Sequence, residues 1–334
     1  MYYLKRLLCF LFIIATVSAC DNDVDVNASW EETTFVYGLL DIHDSVHYVK
    51  VNKAFLNNDK DAEQVAKNNP DSIYHTQDIR VILQELKNGS VSNEITLQKD
   101  TLRTKEEGLF PSPKHILYKT PPYQLNANRQ YQIRVEKLKQ KEPVYATTPI
   151  VDDIVLNYPT KRNQLSFGEV EELEFNWSTG QNAYFYNLQI DIFYVNKNTR
   201  TGNFNKDTIH WTVFRQQTTS STAGGSDFEY EIPSTEFYQR LASGLDRKND
   251  IVRPVDSMSA KVKVTGGARE IFNYMRVNEP SISIVQKNPE YTNINNGRGI
   301  FSSRNTFSYD IGFSSGTRDS LVNGRFTRDL QFVD

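Results

Sequence analysis

The sequence predicts a mainly β protein: an N-terminal immunoglobulin-like β-sandwich, then a second antiparallel β-rich domain with two short helices. Three observations carry this. The chain is rich in strand formers, with 18 Tyr, 19 Phe and abundant Val, Ile and Thr, but only 3 Met. Apolar and polar residues alternate over short runs separated by turn residues, the signature of half-buried strands. A length of 334 residues suits about two domains, each able to bury its own core.

Residues 33–150 form the first domain. Residues 35–40 read as a strand, 41–45 as a polar turn and 46–51 as the returning strand. Further strands are expected over 79–86, 94–98, 115–118, 130–136 and 144–147, with Asn88-Gly89 as a tight turn after the strand ending near Leu86. Residues 61–68 read as a helix halted by Pro70. About seven short strands in about 115 residues is the spacing of an immunoglobulin-like sandwich.

Pro149 and the pair Asp152-Asp153 mark the boundary to the second domain, residues 151–334. Residues 172–177 alternate strictly, with Leu173, Phe175 and Trp177 on one face, and 183–193 continue that alternation over a longer strand. Residues 207–214, 227–232 and 260–264 extend the β pattern. One helix is expected over 235–241, with Ser234 as N-cap and Gly244 beyond its end. The other spans about 268–276 and places Ile271, Phe272 and Met275 on one face. The Ser-, Gly- and Arg-rich tail from about residue 302 is expected as edge strands or loosely held chain.

Residues 1–20 read as a processed leader. Lys5 and Arg6 precede an apolar run over 7–17, too short for the roughly twenty residues that span a bilayer. Val17-Ser18-Ala19-Cys20 resembles a bacterial lipobox, in which the cysteine is acylated and becomes the mature N-terminus. Residues 21–32 then form an acidic tether.

Loss of Lys5 and Arg6 takes the net charge from −3 to −5, so no basic field is present to attract nucleic acid. The only cysteines are Cys9, inside the leader, and Cys20. The mature domains therefore hold no thiol for disulfides, thiol catalysis or cysteine metal sites.

Candidate chemistry is sparse, and neither a metal nor another cofactor is expected. His43 and His47 are separated by a turn and read as surface residues. His75, His115 and His210 have no zinc spacing. Asp152-Asp153 and the acids Glu169, Glu171, Glu172 and Glu174 fall on a linker and an alternating strand, where solvated faces are expected rather than a catalytic carboxylate pair. No serine-nucleophile elbow is read. The reading is therefore non-enzymatic. Among the aromatics, Tyr184, Tyr186 and Tyr194 could share a strand face, and an exposed row of the three is the expected ligand-binding surface.

One segment carries a family resemblance. Phe272-Asn273-Tyr274-Met275, a polar gap, then Asn293-Ile294 with Gly297, Gly299 and Phe301 resembles the C-terminal signature of a Bacteroidota lipoprotein family, domain of unknown function 4249. Arg298, between the glycines, departs from its usual apolar residue, and Thr292 from its usual serine. The likeness is specific over about thirty residues. It implies a lipid-anchored outer-membrane protein beside a TonB-dependent β-barrel transporter, and the acidic tether after Cys20 adds the expectation of a surface-facing position.

Two further features are similar to exported proteins of that phylum. Asp21, Asp23 and Asp25 resemble a surface-export signal following the lipidated cysteine. Ser45, Ser72, Thr101, Thr208, Ser257 and Ser320 each follow Asp and precede an apolar residue, which resembles that phylum's O-glycosylation acceptor and predicts exposed turns. The expected function is an accessory subunit on an outer-membrane β-barrel, aiding ligand capture. The alternative is a structural subunit of assembly or secretion machinery, marked by a broad flat apolar patch rather than a concave aromatic one.

Overall fold

A computed structural model describes residues 33–54, 74–75, 79–101, 116–138, 141–168, 171–279 and 290–334. Cys20, Asp21, Asp23, Asp25, Ser72, His115, Glu169 and the helix expected over 61–68 lie outside the described residues. The chain is mainly β, as its alternation predicts.

The first unit begins with the hairpin β1 (Thr34–Asp41) and β2 (Tyr48–Lys53). β3 (Ile79–Lys87) and β4 (Ser90–Thr96) follow, joined through Asn88 and Gly89 at φ +50° and +79°, left-handed values suited to a two-residue hairpin loop. β5 (Gln98–Asp100), β6 (Leu117–Lys119), β7 (Gln130–Lys137) and β8 (Val144–Pro149) complete it.

The pairing order is β1-β2-β6-β5 in one layer and β4-β3-β7-β8 in the other. Lettered in chain order, this is ABED against C′CFG, the immunoglobulin arrangement. Alternate residues fill the space between the layers: Val36, Val49 and Val51 from one, Val81, Leu83, Ile133 and Val135 from the other. Each such side chain contributes about 1.5–3 kcal/mol by leaving water. Tyr131, second in β7, accepts the Asn126 N–H at 3.0 Å through its hydroxyl, the tyrosine corner of this architecture.

The second unit has its own core. β9 (Val155–Tyr158), β10 (Glu172–Ser178), β11 (Phe185–Asn198), β12 (Phe204–Thr218) and β13 (Asp227–Pro233) lead into α1 (Ser234–Gly244). β14 (Ile251–Pro254), β15 (Ser259–Gly267) and α2 (Arg269–Asn278) come next, then β16 (Arg298–Ile311), α3 (Ser315–Asn323) and β17 (Phe332–Val333). The small sheet β13-β10-β9 buries Leu173, Phe175 and Trp177 against Leu188 and Ile190 of β11 and Val262 and Val264 of β15.

The C-terminal tail departs most from expectation. β16 is a central strand. Its first half, from Arg298 to Arg304, pairs in parallel with β1, and its second half, from Arg304 to Ile311, pairs antiparallel with β15. One ten-stranded sheet therefore runs through both units, and Ile294 and Phe301 lie in the first unit's core. β16 follows a crossover from β15, so no local hairpin signal announces it. The parallel pairs β1·β16 and β14·β17 depart from a purely antiparallel sheet. In the second unit a third helix, α3, adds to the two expected there.

Candidate functional site

The family-like motif acts as a clasp between the units. β15 ends opposite Arg304, so the backbone of Phe301 has no neighbouring strand on that side. The Asn293 side chain takes the strand's place: Nδ2 donates to the Phe301 carbonyl at 2.7 Å, and Oδ1 accepts its N–H at 3.0 Å. Asn295 exchanges backbone bonds with Tyr145 of β8 at 2.8 and 3.2 Å. Gly299 sits at φ +115°, and a Cβ there would lie 2.1 Å from the Val36 carbonyl oxygen, so only glycine lets β16 lie against β1. A Cβ on Gly297 would crowd the Thr34 carbonyl oxygen at 2.8 Å.

The expected tyrosine row is corrected. Tyr186 is 0% exposed and Tyr194 6%; only Tyr184 is partly open. Tyr186 is in the core because its hydroxyl finds a partner there, accepting the Gly180 N–H at 3.0 Å. Burial pushes its phenol up to about 12 and also raises that of Tyr194. Trp177 and Trp211 are core residues as well.

The structure places an open groove elsewhere, between α2 and the end of β12, with a volume of about 590 Å³. The lower wall is α2, contributing Phe272, Tyr274 and Met275, and Arg276, Asn278 and Glu279 toward its end. The N–H of Ile271, in the first turn, is met by Ser302 Oγ at 3.2 Å, which ties the helix to β16. Phe272 is buried against Tyr184 and Phe185, with ring centroids 5.0 and 5.6 Å away. The Arg276 guanidinium lies 5.7 Å over the Phe272 ring, and that of Arg269 lies 4.2 Å over Tyr184.

The opposite wall is a β-bulge. Tyr186 pairs with Gln217 and Leu188 with Phe214, so Arg215 and Gln216 together face Asn187. Gln216 takes φ +54°, an uncommon value outside glycine. Two bonds hold it: its N–H donates to Asn187 Oδ1 at 2.7 Å, and its Nε2 to Glu279 Oε1 at 2.6 Å. Arg215 and Gln216 went unread in the sequence, yet a signal exists. Inward positions in β12 run Ile209, Trp211, Val213 and then Phe214, and that break in parity marks the bulge.

Other constellations have structural roles. Asp191, 4% exposed at its side chain, accepts from Lys263 at 2.5 Å, His210 Nδ1 at 2.7 Å and Gln189 at 2.6 Å. Burial pulls its carboxyl upward, but the Lys263, His210 and Gln189 bonds outweigh it and hold it below the usual range. His43 is exposed and meets Asp153 at 3.1 Å. His47, expected on the surface, is buried because Nε2 bonds the Tyr123 carbonyl at 3.0 Å and its N–H bonds Thr120 Oγ1 at 3.0 Å. Glu172 and Glu174 stand on the solvent face of β10. Among the described residues no group of three or more His, Cys, Asp or Glu is placed to hold a metal.

The serines also depart from expectation. Gly312-Phe313-Ser314-Ser315-Gly316 does fit the Gly-x-Ser-x-Gly pattern, and it stands at a strand-to-helix turn. Ser314 has an ordinary extended backbone at φ −66°, is 4% exposed, and caps α3 by accepting the Thr317 N–H at 3.2 Å. That is a helix cap, with the hydroxyl turned inward.

The glycosylation candidates divide. Ser45, Thr101 and Ser257 are exposed in turns or at element ends, whereas Thr208 is half-buried within β12 and Ser320 half-buried within α3. For these two the Asp-Ser/Thr triplet does not mark a turn.

The sequence matches no protein-family model and no curated protein. Among solved structures, a chain described as a cytokine receptor complex overlaps at 8% identity and TM-score 0.22, over 84% of this chain and 99% of that one. The C-terminal globular domain of an oligosaccharyltransferase from Pyrococcus abyssi overlaps at 10% identity and TM-score 0.23, over 66% of this chain and 45% of that one. Overlaps of this quality carry no argument about fold or function.

Proposed function

We propose that this chain is a lipid-anchored, non-enzymatic accessory protein of the outer membrane, displayed on the cell surface. It docks on a β-barrel partner and helps capture a ligand; the partner this reading favours is a TonB-dependent transporter. The leader ending in Cys20 supports the anchor, and the motif resemblance supports the neighbourhood.

The observation that carries ligand capture over a purely structural role is the groove. It is a shallow recess with an aromatic wall and two arginines beside a β-bulge, whereas an assembly subunit calls for a broad apolar face. Its volume lies within the range of small-molecule sites. The continuous sheet joins the groove-bearing unit to the N-terminal sandwich, so a ligand held beside α2 is carried by the same sheet as β1.

Gentle detergent extraction of the tagged, full-length protein, followed by mass spectrometry of what co-purifies, tests the reading. A stoichiometric TonB-dependent barrel is the expected result. Recovery with barrel-assembly or secretion components overturns it in favour of the structural role.

A further inference from the structure

We propose that the groove beside α2 is a site for a carboxylate carried on an apolar or aromatic body. Three features point to this ligand chemistry. First, two guanidinium groups, Arg215 and Arg276, line the same groove from opposite walls. Neither has a carboxylate partner among the described residues. The carboxylate in the lining, Glu279, is engaged by Gln216. The groove thus presents two forked donors matched to a planar anion.

Second, the surface beneath those donors is apolar. Phe272, Tyr274 and Met275 line it, and Phe272 is fixed by Tyr184 and Phe185. Arg276 stacks over Phe272, which orients the guanidinium and leaves its edge N–H groups free to donate. A ligand that is only an anion leaves this surface wet, while one that is only apolar leaves the arginines unmatched.

Third, the wall bearing Arg215 is built in place. The extra residue of the bulge turns the chain, and the Asn187 and Glu279 bonds hold Gln216 at φ +54°. A left-handed non-glycine residue persists where its surroundings over-determine it, and bulges commonly re-aim a side chain beside a binding site.

The same chemistry occurs in a free aromatic acid and at the C-terminus of a peptide ending in an apolar residue. This inference deepens the capture reading but is tested separately from the membrane partner. The experiment is calorimetric titration of the full chain in detergent with 3-phenylpropionate, its neutral analogue 3-phenylpropanol, and a tripeptide ending in Phe as acid or amide.

The acids are expected to bind at least about tenfold more tightly than their neutral counterparts. Arg215→Gln and Arg276→Gln are each expected to weaken acid binding about tenfold, with the thermal midpoint unchanged. Arg276→Lys, which keeps the charge but loses the fork, is expected to fall between. A tripeptide acid tighter than 3-phenylpropionate identifies a peptide end as the source, and the reverse identifies a free acid. Equal binding of acid and neutral forms, unaltered binding by both arginine variants, or no binding of either acid up to about 10 mM overturns the proposal. None of these outcomes bears on which barrel co-purifies.

Discussion

Asn293 and Phe301 are joined by two hydrogen bonds, from the Asn293 side-chain amide to the Phe301 carbonyl at 2.7 Å and from the Phe301 N–H back to Asn293 Oδ1 at 3.0 Å. One side chain thus does what a neighbouring strand does elsewhere in the sheet. Asn293→Ala leaves a part-buried donor and acceptor unmet and is expected to lower stability by about 2–4 kcal/mol. Urea denaturation should show a lower midpoint with an unchanged slope. A loss under half of the lower figure would mean that water replaces the amide.

Gly299 and Gly202 make a controlled pair. Both have positive φ, +115° and +74°, but only Gly299 has backbone where a Cβ would go. Gly202→Ala is expected to cost about 1 kcal/mol, for backbone conformation alone. Gly299→Ala is expected to exceed about 3 kcal/mol, because β16 must also move off β1. Equal losses in thermal or chemical denaturation would show that the approach of the two strands is not tight.

The shared strand predicts coupled unfolding. β16 completes the ABED layer at one end and the second unit's sheet at the other, so losing it uncovers both. Calorimetry of the full chain should show one transition, and a fragment covering 33–150 should fail to unfold cooperatively because Ile294 and Phe301 are missing from its core. Two well-separated transitions would contradict this.

His47 makes stability depend on pH. Burial holds its pKa below the usual histidine value, even though the Tyr123 carbonyl, Asp44 and Asp41 pull the other way. A group depressed in the folded state contributes stability that is full above its unfolded value, about 6.5, and is lost as pH falls toward the folded value. Protonation would also leave a buried Nδ1–H without an acceptor, since that atom has no hydrogen-bond partner among the described residues. The urea midpoint of the wild type should therefore fall as pH is lowered from about 7 through the unfolded histidine value of about 6.5, and His47→Gln should flatten that fall. A parallel decline in the variant assigns the pH dependence to other groups.

Asp191 has the same sign in a more acidic window. Its folded pKa is depressed, so its contribution is present above the unfolded carboxylate value and is lost as pH drops through the folded one. Asp191→Asn is expected to cost about 1–2 kcal/mol at pH 7, a modest figure because His210 is 70% exposed and Lys263 about a third. The gap from wild type should close on acidification. A constant gap would point to packing rather than charge.

The strand-forming stretches were legible from alternation, because period two reports directly which side chains face the core. Leu173, Phe175 and Trp177 are buried while Glu172 and Glu174 face solvent, as their order along the chain requires. Parity says nothing about which backbone edge meets which. That is why β16, with no hairpin to introduce it, read as a tail and proved to be the central strand. The tyrosines failed for a related reason. Their rings suit a surface or a core equally, and only a partner such as the Gly180 N–H for Tyr186 makes burial affordable.

What the sequence determined by itself is the β character, the position of most strands and the two helices it names in the second unit. Tertiary structure decided how they join: one sheet through both units, an asparagine standing in for a strand, and a bulge that places Arg215 in the groove that Arg276 also lines. The division has a physical cause. Side-chain periodicity is local and written into every few residues, whereas edge pairing and groove walls depend on contacts between segments far apart in the chain, as Asn187, Gln216 and Glu279 are.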